Sequence, residues 1–595
     1  MEHNRAEHVG ARIYEVTGNR WRLTFEEKRR ILLQSIRGVD IDPNAVEVAR
    51  FSLLLRLVED ETAGALQAYE RARREPVLPN LAPQIRQGNS LVSHEEFAAY
   101  TPGADPGLVD RVSPFTWARE FPAEMRRGGF DVIVGNPPYI RIQNMVAYSP
   151  EEVGFYQSPR SPYTTARADN FDKYALFIER SLSLLGPAGR LGFIVPNKFM
   201  TLTAGRAVRR LLAEGRLVDE LVHFGAQQVF GAGAQNYTCI LVLTKSGAAD
   251  VRLERVANLV RWRYGEAGER ETIPGTRLGE EAWTIAASSA RAVFDRIRSA
   301  WTETLGDVAD IFVGVQTSAD EVYIVVAEQE NADSISITWD GREWTLERAI
   351  LRPCLHDVQL HAYARPQPNK YIIFPYRLGE RRASLIQPRE MRADYPGAWA
   401  YLQARRGQLE VRNVTGGSAS ERQFYQYGRS QSLTKFNCAK IILPILSLEP
   451  RYAYDDQNIV VTGGGNGPYY LTKPKEGSTS SLYYLLAVLC HPLSEAMVRS
   501  RTSVFGGGYY SHGKQFIESL PIPSAAAEQR RSVEGLVERA VRTTSEVWEA
   551  RSPAIRAAKE REAEALRLRI EQAMTEILGL TEEELAVVRA VPVPA

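Results

Sequence analysis

The stretch from residue 130 to 140 constrains the fold more than any other part of the sequence. It reads Phe-Asp-Val-Ile-Val-Gly-Asn-Pro-Pro-Tyr-Ile. The apolar run Val132 to Val134 is entered from polar sequence and ends at a glycine, which predicts a buried strand of a parallel sheet. Open α/β sheets bind their ligands at the carboxyl ends of such strands. We therefore expect the residues that follow Gly135 to line a ligand site.

The four residues after Gly135 can accept hydrogen bonds and offer a flat face. Asn136 carries a side-chain carbonyl, and Pro137 and Pro138 present backbone carbonyls without an N–H of their own. Tyr139 adds an aromatic ring. Such a loop fits the exocyclic amine of a planar base whose ring stacks on the tyrosine. The alternative is an ordinary Asn-Pro turn, because both residues are common in turns.

Composition describes an ordinary intracellular protein of more than one domain. A chain of 595 residues predicts two or more domains. The 73 basic and 72 acidic residues exclude a polycation but leave room for a local nucleic-acid footprint. No apolar stretch reaches membrane-spanning length, and the polar start is not a signal peptide. The cysteines have no paired spacing, so we expect neither disulfides nor a zinc site. This cysteine usage predicts a cytoplasmic location. The cysteines are Cys239, Cys354, Cys438 and Cys490.

Two polar turns upstream of this stretch are candidates for binding a nucleoside cofactor. Residues 36–42 predict a strand that ends in acids, and Pro43 predicts the first turn of a helix. An acid at such a strand tip can accept both ribose hydroxyls, and Asp40 is the candidate. Asp42 is expected to cap the helix. Asn89 follows a second short strand and is a candidate for the cofactor's adenine, with a plain turn as the alternative.

Alternating helices and strands through about residue 250 predict an α/β fold with a doubly wound sheet. Helices are predicted at 25–35 and 169–185. A turn ending at Gly189 is predicted to lead into a strand at 190–196, and further strands are predicted at 217–224 and 237–243.

These segments resemble the ordered motifs of N6-adenine DNA methyltransferases, of the TaqI-like and type IIG restriction-modification group. The matching stretches are Gly-Val-Asp-Ile-Asp-Pro, Gly-Asn-Ser-Leu, Gly-Asn-Pro-Pro-Tyr, Asp-Lys-Tyr-x-x-Phe and Gly-Ala-Gln-Gln-Val-Phe. The resemblance implies S-adenosylmethionine as cofactor, double-stranded DNA as partner, and Phe230 as a second residue that stacks on the extruded target base. The alternative for Phe230 is an aromatic residue of the core. The resemblance also implies a Rossmann-like methyltransferase sheet for residues 1–250.

The sequence departs from this family at one point. Family members carry a Gly-rich cofactor loop on the strand before the acidic one, and nothing between Met1 and Asp40 fits that pattern. Glycine runs at 231–233, 463–467 and 506–508 lack a preceding apolar strand with a terminal acid and predict turns. The methyltransferase sheet is therefore expected to lack its first strand and this loop.

The second half resembles the target-recognition region of the same group. After a connector at 251–304, residues 305–524 predict an α+β DNA target-recognition domain, with Arg429 and Lys514 in family-like motifs as candidates for DNA contact. A cluster of seven arginines between 377 and 406, interleaved with tyrosines, fits either a phosphate-lined groove or a solvated face. Residues 525–595 predict a helical C-terminal region.

Two functions remain open at this point. The first is site-specific transfer of a methyl group to N6 of adenine, as part of a restriction-modification or phage-defence system. The second is a non-catalytic or split-enzyme DNA-recognition subunit, to which a separate chain supplies the cofactor loop and any nuclease. We find no convincing Asp…Glu-x-Lys metal constellation for a nuclease, and expect no metal site.

Overall fold

The computed structural model describes most of the chain. The described ranges are 12–15, 20–167, 170–225, 227–230, 237–379, 382–415, 417–419, 422–430, 432–463, 469–502 and 509–591. Within these residues no helix has the length and apolar composition that crossing a lipid bilayer requires.

The first half is a mixed α/β structure built around a six-stranded sheet. Its early strands are β1 Ile13–Glu15, β2 Trp21–Leu23, β3 Gly38–Asp40, β4 Ile85–Gln87 and β5 Phe130–Gly135. They are followed by β6 Leu185–Pro196, β7 Val218–His223, β8 Thr238–Thr244, β9 Asp250–Arg255 and β10 Glu269–Pro274. The large sheet has the order β10-β9-β7-β8-β6-β5, whereas β1–β2 and β3–β4 form separate pairs. Two strands of the large sheet, β9 and β10, thus fall in the region predicted as the connector.

Helices surround these strands. They are Phe25–Ser35, Pro43–Val58, Ala63–Arg73, His94–Tyr100, Pro106–Val112, Trp117–Glu120, Pro122–Arg126, Ile142–Val146, Pro150–Gln157, Lys173–Leu184, Arg206–Glu214, Leu259–Arg263 and Ser288–Ala300. Short 3-10 turns lie at Thr165–Arg167, Asn197–Met200, Thr203–Gly205 and Gly275–Arg277. The helix predicted at 25–35 has those bounds because Thr24 caps it by accepting from the Glu27 N–H. Asp42 likewise caps the next helix by accepting from the Asn44 N–H, as predicted.

The strand β5 forms as predicted, but the prediction that it is buried was wrong. It runs parallel to β6, with Gly135 opposite Phe193. Among the described residues it pairs with no other strand, so it forms the edge of the sheet. Val132 and Val134 are 63% and 77% exposed. An apolar run indicates a strand that can be buried, but its actual burial depends on neighbours that the run itself does not encode.

The strand β6 also begins earlier than predicted. The sequence predicted a turn up to Gly189, whereas the strand starts at Leu185. Leu185 pairs with Phe130, and the register then shifts before Val132 pairs with Arg190. This irregular start uses residues whose Gly and Pro content resembles a turn.

The second half contains smaller antiparallel sheets and an α-helical layer. Its first nine strands are β11 Ala309–Val313, β12 Ile324–Val325, β13 Gln329–Glu330, β14 Ser334–Trp339, β15 Arg342–Glu347, β16 Leu351–Leu355, β17 Lys370–Ile373, β18 Tyr376–Leu378 and β19 Ala383–Leu385. The remaining strands are β20 Asn413–Val414, β21 Gly417–Ser418, β22 Lys440–Pro444, β23 Leu446–Ser447, β24 Ala453–Asp455, β25 Val460–Val461, β26 Tyr469–Pro474 and β27 Tyr510–Ser511. The two four-stranded sheets have the orders β11-β26-β22-β24 and β12-β17-β16-β25.

The helices of the second half end in a C-terminal group. The preceding ones are Leu305–Val308, Asp320–Tyr323, Pro388–Asp394, Pro396–Ala404, Arg406–Glu410, Leu482–Cys490, Pro492–Arg499 and Lys514–Ile517, with a 3-10 turn at Arg348–Ile350. The C-terminal helices are Ala527–Glu549, Pro553–Leu578 and Glu582–Arg589. Ala527–Glu549 and Pro553–Leu578 pack along each other, and both contact the buried helix Leu482–Cys490. They share one apolar core with β11 and β22.

His491 lies between the helices Leu482–Cys490 and Pro492–Arg499 and contacts the C-terminal helix Pro553–Leu578. The side chain is 2% exposed. Its Nδ1 accepts from the Leu493 N–H at 3.1 Å, and its Nε2 lies 3.1 Å from Thr575 Oγ1. Burial, aided by the positive charge of Arg589, lowers the pKa of His491 to about 3. The imidazole is therefore neutral in the folded protein under ordinary conditions.

This burial predicts a loss of stability in mild acid. An unfolded histidine takes up a proton below pH ~6.5 while the folded one does not, so stability is full above that pH and declines as the pH falls. Between pH 7.5 and 5.0 we expect His491 to contribute a loss of about 2 kcal/mol. Urea denaturation of the parent and of His491→Gln at both pH values measures it. Equal losses in the two proteins would contradict the assignment.

Candidate functional site

The carboxyl ends of β5, β6 and β7 lie at one edge of the large sheet. The strands β5 and β6 are parallel. Both β6 and β7 run antiparallel to β8, which separates them, so β6 and β7 point the same way. Asn136, Asn197 and Phe224 each follow the end of one of these strands. The loops that could hold a ligand therefore start from the same edge of the sheet.

Asn136 and Tyr139 contact each other at this edge. The Tyr139 hydroxyl lies 2.9 Å from Asn136 Oδ1 and 3.0 Å from the backbone oxygen of Ile194. Burial, with the neighbouring Cys239, raises the pKa of Tyr139 to about 12, so the hydroxyl keeps its proton at neutral pH. One proton serves two acceptors. When it is donated to Ile194, Asn136 Oδ1 is available to another donor.

The prolines fix the loop between these two side chains. Pro137 is buried, whereas Asn136 and Pro138 are exposed. The Tyr139 ring packs against Tyr174 in a T-shaped contact, with centroids 6.4 Å apart. The loop thus combines an exposed amide with an aromatic side chain that the interior holds in place.

Phe230 belongs to a loop that is fastened to the same sheet. It is 41% exposed. The Gln227 side chain anchors the loop, because its Nε2 donates to Phe224 O at 3.2 Å and its Oε1 accepts from the Leu259 N–H at 2.5 Å. Asn197 connects this loop to β6 by donating from Nδ2 to the Gly225 oxygen at 3.0 Å. An exposed aromatic ring on a loop that hydrogen bonds hold in place is suited to stacking on a planar ligand.

Asp40 ends β3 with its carboxylate exposed. Its Oδ1 accepts from the Asp42 N–H at 2.9 Å. No further partner of Asp40 is found among the described residues, so its second oxygen can accept hydroxyl groups such as those of a ribose.

Asn89 lies in a buried polar network that sequence reasoning missed. It is 4% exposed; its Nδ2 donates to Glu152 Oε2 at 3.1 Å, and its Oδ1 accepts from the Leu91 N–H at 3.2 Å. Glu152 also accepts from Tyr156 at 2.7 Å and lies 3.5 Å from Lys173 Nζ.

The network keeps the Glu152 carboxylate ionised. Burial alone would raise the pKa of Glu152, but the Lys173 charge and the hydrogen bonds to it hold that pKa below its ordinary value. Sequence reasoning missed this role of Glu152, because an acid in the first turn of a helix, here directly after Pro150, is usually a surface residue. Lys173, in contrast, belongs to one of the quoted motifs.

In the second half, two motifs with family-like sequence meet at Arg429. Its backbone N–H donates to the Gln316 oxygen at 3.0 Å. Its side chain is exposed, and Nη1 donates to the oxygen of the neighbouring Gly428 at 3.0 Å. A Cβ on Gly428 would lie 1.9 Å from Ser318 Oγ, so only glycine allows this approach. Lys514 is 53% exposed in its side chain and lies 3.9 Å from Glu518.

Arg412 holds the loop that carries Arg429. It is buried, and it donates to the backbone oxygens of Thr317, Phe424 and Gln426 at 2.6–3.0 Å. Sequence reasoning missed this residue, since no pattern distinguishes a buried arginine from the many exposed ones.

The arginine cluster from 377 to 406 is largely engaged within the protein. Arg377 pairs with Glu390 at 2.8 Å, and Arg392 lies over Trp399. Arg405 is 4% exposed and lies over Trp339. Tyr376 and Tyr401 are buried in the core rather than available to bases. These contacts favour the alternative of a balanced face over a phosphate-lined groove.

No group of three or more histidine, cysteine, aspartate or glutamate side chains within the described ranges has the geometry to hold a metal ion. The predicted turn at 506–508 and the glycines at 231–233 lie outside the described residues.

Comparisons with known proteins agree with this arrangement. Residues 34–230 match the family described as Eco57I restriction-modification methylase. The chain is 29% identical over 531 residues to the type II restriction enzyme and methyltransferase RM.Eco57I of Escherichia coli, covering 86% of this chain and 50% of that protein. It is 22% identical over 442 residues to the type II methyltransferase M.BanIII of Aneurinibacillus aneurinilyticus, covering 68% of this chain and 71% of that one.

A solved structure shares the fold over almost the whole chain. The type IIL restriction-modification enzyme MmeI, in complex with DNA, superimposes with a TM-score of 0.56 at 12% identity, covering 95% of this chain and 74% of MmeI. The chain spans half the length of its relative from Escherichia coli. The family resemblance drawn from the motifs is confirmed, whereas the missing Gly-rich loop stays a prediction. Residues 34–230 of this chain are therefore similar to the Eco57I-type restriction-modification methylase family.

Proposed function

We propose that the protein is a site-specific DNA methyltransferase that modifies N6 of adenine and belongs to a restriction-modification or phage-defence system. The observation that carries this proposal is the loop Asn136 to Tyr139, placed at the carboxyl edge of the sheet in a family of methylases. Its residues offer acceptors and a ring to an amine-bearing base.

The amide oxygen of Asn136 and the backbone oxygen of Pro137 would accept the two protons of the adenine amine. These bonds draw the nitrogen toward a tetrahedral shape and direct its lone pair outward, which the flat, conjugated amine resists in solution. The base must leave the DNA helix, at a cost of a few kcal/mol. Stacking of the base on Tyr139 and Phe230 would contribute about 1–3 kcal/mol for each contact and so offset part of this cost.

S-Adenosylmethionine is the proposed cofactor, and it supplies an electrophilic methyl group. The free carboxylate oxygen of Asp40 fits the ribose hydroxyls, and Asn89, which follows β4, is the candidate for binding the cofactor's adenine. These residues would hold the nucleoside end of the cofactor. We assign this end of the pocket to the Rossmann-like methyltransferase region proposed for residues 1–250.

The test is expression in a bacterial host that lacks adenine methylation. The 595-residue chain is expressed alone and with the product of the adjoining reading frame, and the nucleosides of the host DNA are analysed by mass spectrometry. We expect N6-methyladenine in at least one case. Its absence from both, or N4-methylcytosine in its place, would refute the proposal. Sequencing that detects modified bases then gives the recognition site.

A second candidate is a DNA-recognition subunit to which another chain supplies the cofactor loop. The exposed edge of the methyltransferase sheet at β5 favours it. Calorimetry with S-adenosylmethionine separates the candidates: binding by the isolated chain counts against a subunit, whereas binding only after the adjoining product is added supports it.

We assign DNA recognition to residues 305–524 and expect Arg429→Ala to weaken DNA binding. Losing one side-chain contact to DNA costs about 1 kcal/mol or more, which is about five-fold in affinity. Arg377→Ala serves as the control, because Arg377 is already paired with Glu390, and it should change affinity less than about two-fold. Filter binding to unmethylated phage DNA at several salt concentrations measures both. Equal losses of affinity in the two variants would indicate that the arginine cluster also contacts DNA.

A further inference from the structure

A short excursion leaves the large sheet at the same edge as the candidate site. β9 runs parallel to β7, with Arg255 opposite His223 at the carboxyl end of each strand. β10 returns antiparallel from Glu269, which pairs with Arg255. Residues 256–268, which connect these two strands, therefore project from the edge at which the acceptor loop of Asn136 also begins.

Three hydrogen bonds fasten this excursion to the loop after β7. The Gln227 side chain accepts from the Leu259 N–H and donates to the Val256 oxygen, both at 2.5 Å. Arg263 donates from Nη2 to the Val229 oxygen at 2.6 Å. The excursion is therefore bound to the residues that directly precede the proposed stacking ring.

A small apolar core lies beneath the excursion and the loop after β7. Its buried members come from the end of β7 and from the excursion, and they are Val222, Phe224, Val256 and Leu259. The Trp262 ring adds a T-shaped contact to Phe224, with centroids 5.1 Å apart. Because the two segments share this core, a ligand that contacts the loop after β7 lies close to the excursion.

Glu254, near the end of β9, holds the excursion in shape. Its Oε1 accepts from Trp262 Nε1 at 3.0 Å and from the Gly268 N–H at 2.7 Å. A Cβ on Gly268 would clash with the Arg255 oxygen, so this close return of the chain requires glycine. The surface of the excursion is therefore fixed before any ligand binds.

The tip of the excursion is exposed although its base is packed. Tyr264 is 87% exposed, more than any other large hydrophobic side chain in the described ranges. Val260 is 64% exposed and lies four residues earlier, on the same face of the helical turn. Arg261 is 69% exposed in its side chain and lies 3.7 Å from Glu266, the single acid of the excursion. Water screens so exposed a pair, and a phosphate can replace the carboxylate as the partner of the guanidinium.

We propose that residues 256–268 bind the DNA duplex beside the extruded base, with Arg261 on a backbone phosphate and the Tyr264 ring against a neighbouring sugar or base. This rests on the proposed function, because the position of the DNA follows from the stacking role of Phe230. Guanidinium groups bind phosphates and exposed aromatic rings stack on nucleotides. The DNA surface then extends from residues 305–524 into the segment predicted as a connector.

The first test measures nitration of the tyrosines of the parent protein by tetranitromethane, followed by peptide mass spectrometry. The DNA is an unmethylated phage fragment selected for tight binding to the parent. Saturating DNA should slow the nitration of Tyr264 by about five-fold or more, because a ring stacked against DNA loses its access to solvent. Tyr14, an exposed tyrosine of β1, is the internal control and should react equally with and without DNA. Equal nitration of Tyr264 in both samples would overturn the inference.

The second test measures the affinity of Tyr264→Ala and Arg261→Ala for the same fragment by filter binding. Each change should weaken binding by about five-fold or more. Arg261→Ala should also lower the slope of log affinity against log salt concentration by about one, because one phosphate contact is lost. Arg567→Ala is the matched control, since Arg567 is likewise an exposed arginine beside an acid, Glu564, and it should keep the affinity and the slope of the parent. Urea denaturation of the variants should match the parent, which excludes a loss of folding as the cause.

The remaining outcomes are also decisive. Affinity like that of the parent in both variants, or a parent that binds no phage fragment, would overturn the inference. Nitration of Tyr264 that slows without DNA as the protein concentration rises would identify a second copy as the partner and exclude DNA. None of these readouts uses methylation. DNA binding that depends on Tyr264 and Arg261, without methyl transfer, would therefore uphold the inference while the proposed function failed.

Discussion

Replacing Asn136 by alanine should lower the turnover of methyl transfer by about two orders of magnitude or more. Asn136 Oδ1 is the exposed acceptor at the carboxyl end of β5, and in the proposed mechanism its contact with the base amine would strengthen as the amine becomes tetrahedral. Loss of such a preorganised polar group costs about 10²–10³ in turnover. The KM for DNA should change far less, because the DNA recognition proposed for residues 305–524 lies outside this loop.

Tritium-methyl transfer to unmethylated DNA measures this effect, with the preparation that is active in the expression test. Asn144→Ala is the matched control: Asn144 is an exposed asparagine in the helix Ile142–Val146 and should behave as the parent. Tyr139→Phe keeps the stacking ring and removes the hydroxyl that competes for Oδ1, so it should stay within about ten-fold of the parent. An Asn136→Ala variant as active as the parent would remove Asn136 from the mechanism.

Local sequence predicted those features that local physics decides. The helix Phe25–Ser35 has its predicted ends because Thr24 can cap it, and Asp42 caps the next helix for the same reason. The strands predicted at 217–224 and 237–243 form within one residue or two of those limits. The acceptor loop lies where the strand–glycine–asparagine order predicts, because a strand end is a local property.

Features that depend on distant residues could not be predicted in this way. The exposure of Val132 and Val134 depends on what lies beside β5, which its own residues do not specify. The partner of Asn89 is Glu152, sixty-three residues along the chain, and it becomes visible only when the fold brings the two together. Arg405 has the same charge as a DNA-binding arginine, and only packing shows that it lies over Trp339.

Such buried charges are also where substitutions should affect stability most, and Lys440 is the clearest case. Lys440 and Asp455 face each other across β22 and β24, both with fully buried side chains. Lys440 Nζ donates to Asp455 Oδ2 and to the Phe436 oxygen, the latter at 2.9 Å. The two oxygens of Asp455 also accept from the N–H groups of Gln457 and Ile459, at 2.8 and 3.1 Å.

We expect Lys440→Met to lower the free energy of unfolding by about 3–5 kcal/mol. The methionine fills much of the lysine's volume but leaves the Asp455 carboxylate buried without its cation, and an uncompensated buried charge is costly. Adding Asp455→Asn should recover part of the loss, because the amide oxygen can still accept a backbone N–H while carrying no charge. Comparing Lys440→Met with the double variant thus separates the cost of the unpaired Asp455 charge from the cost of changed packing.

Urea denaturation monitored by circular dichroism measures the three proteins together with the surface control Arg567→Met. Arg567 pairs with Glu564 at 3.2 Å on the helix Pro553–Leu578, with both side chains more than half exposed. Its loss should cost less than about 1 kcal/mol, because water screens an exposed pair. A Lys440→Met variant as stable as this control would contradict the prediction. It would mean that water or a proton compensates the Asp455 carboxylate in place of the lysine, so that the interior around β22 is accessible to water.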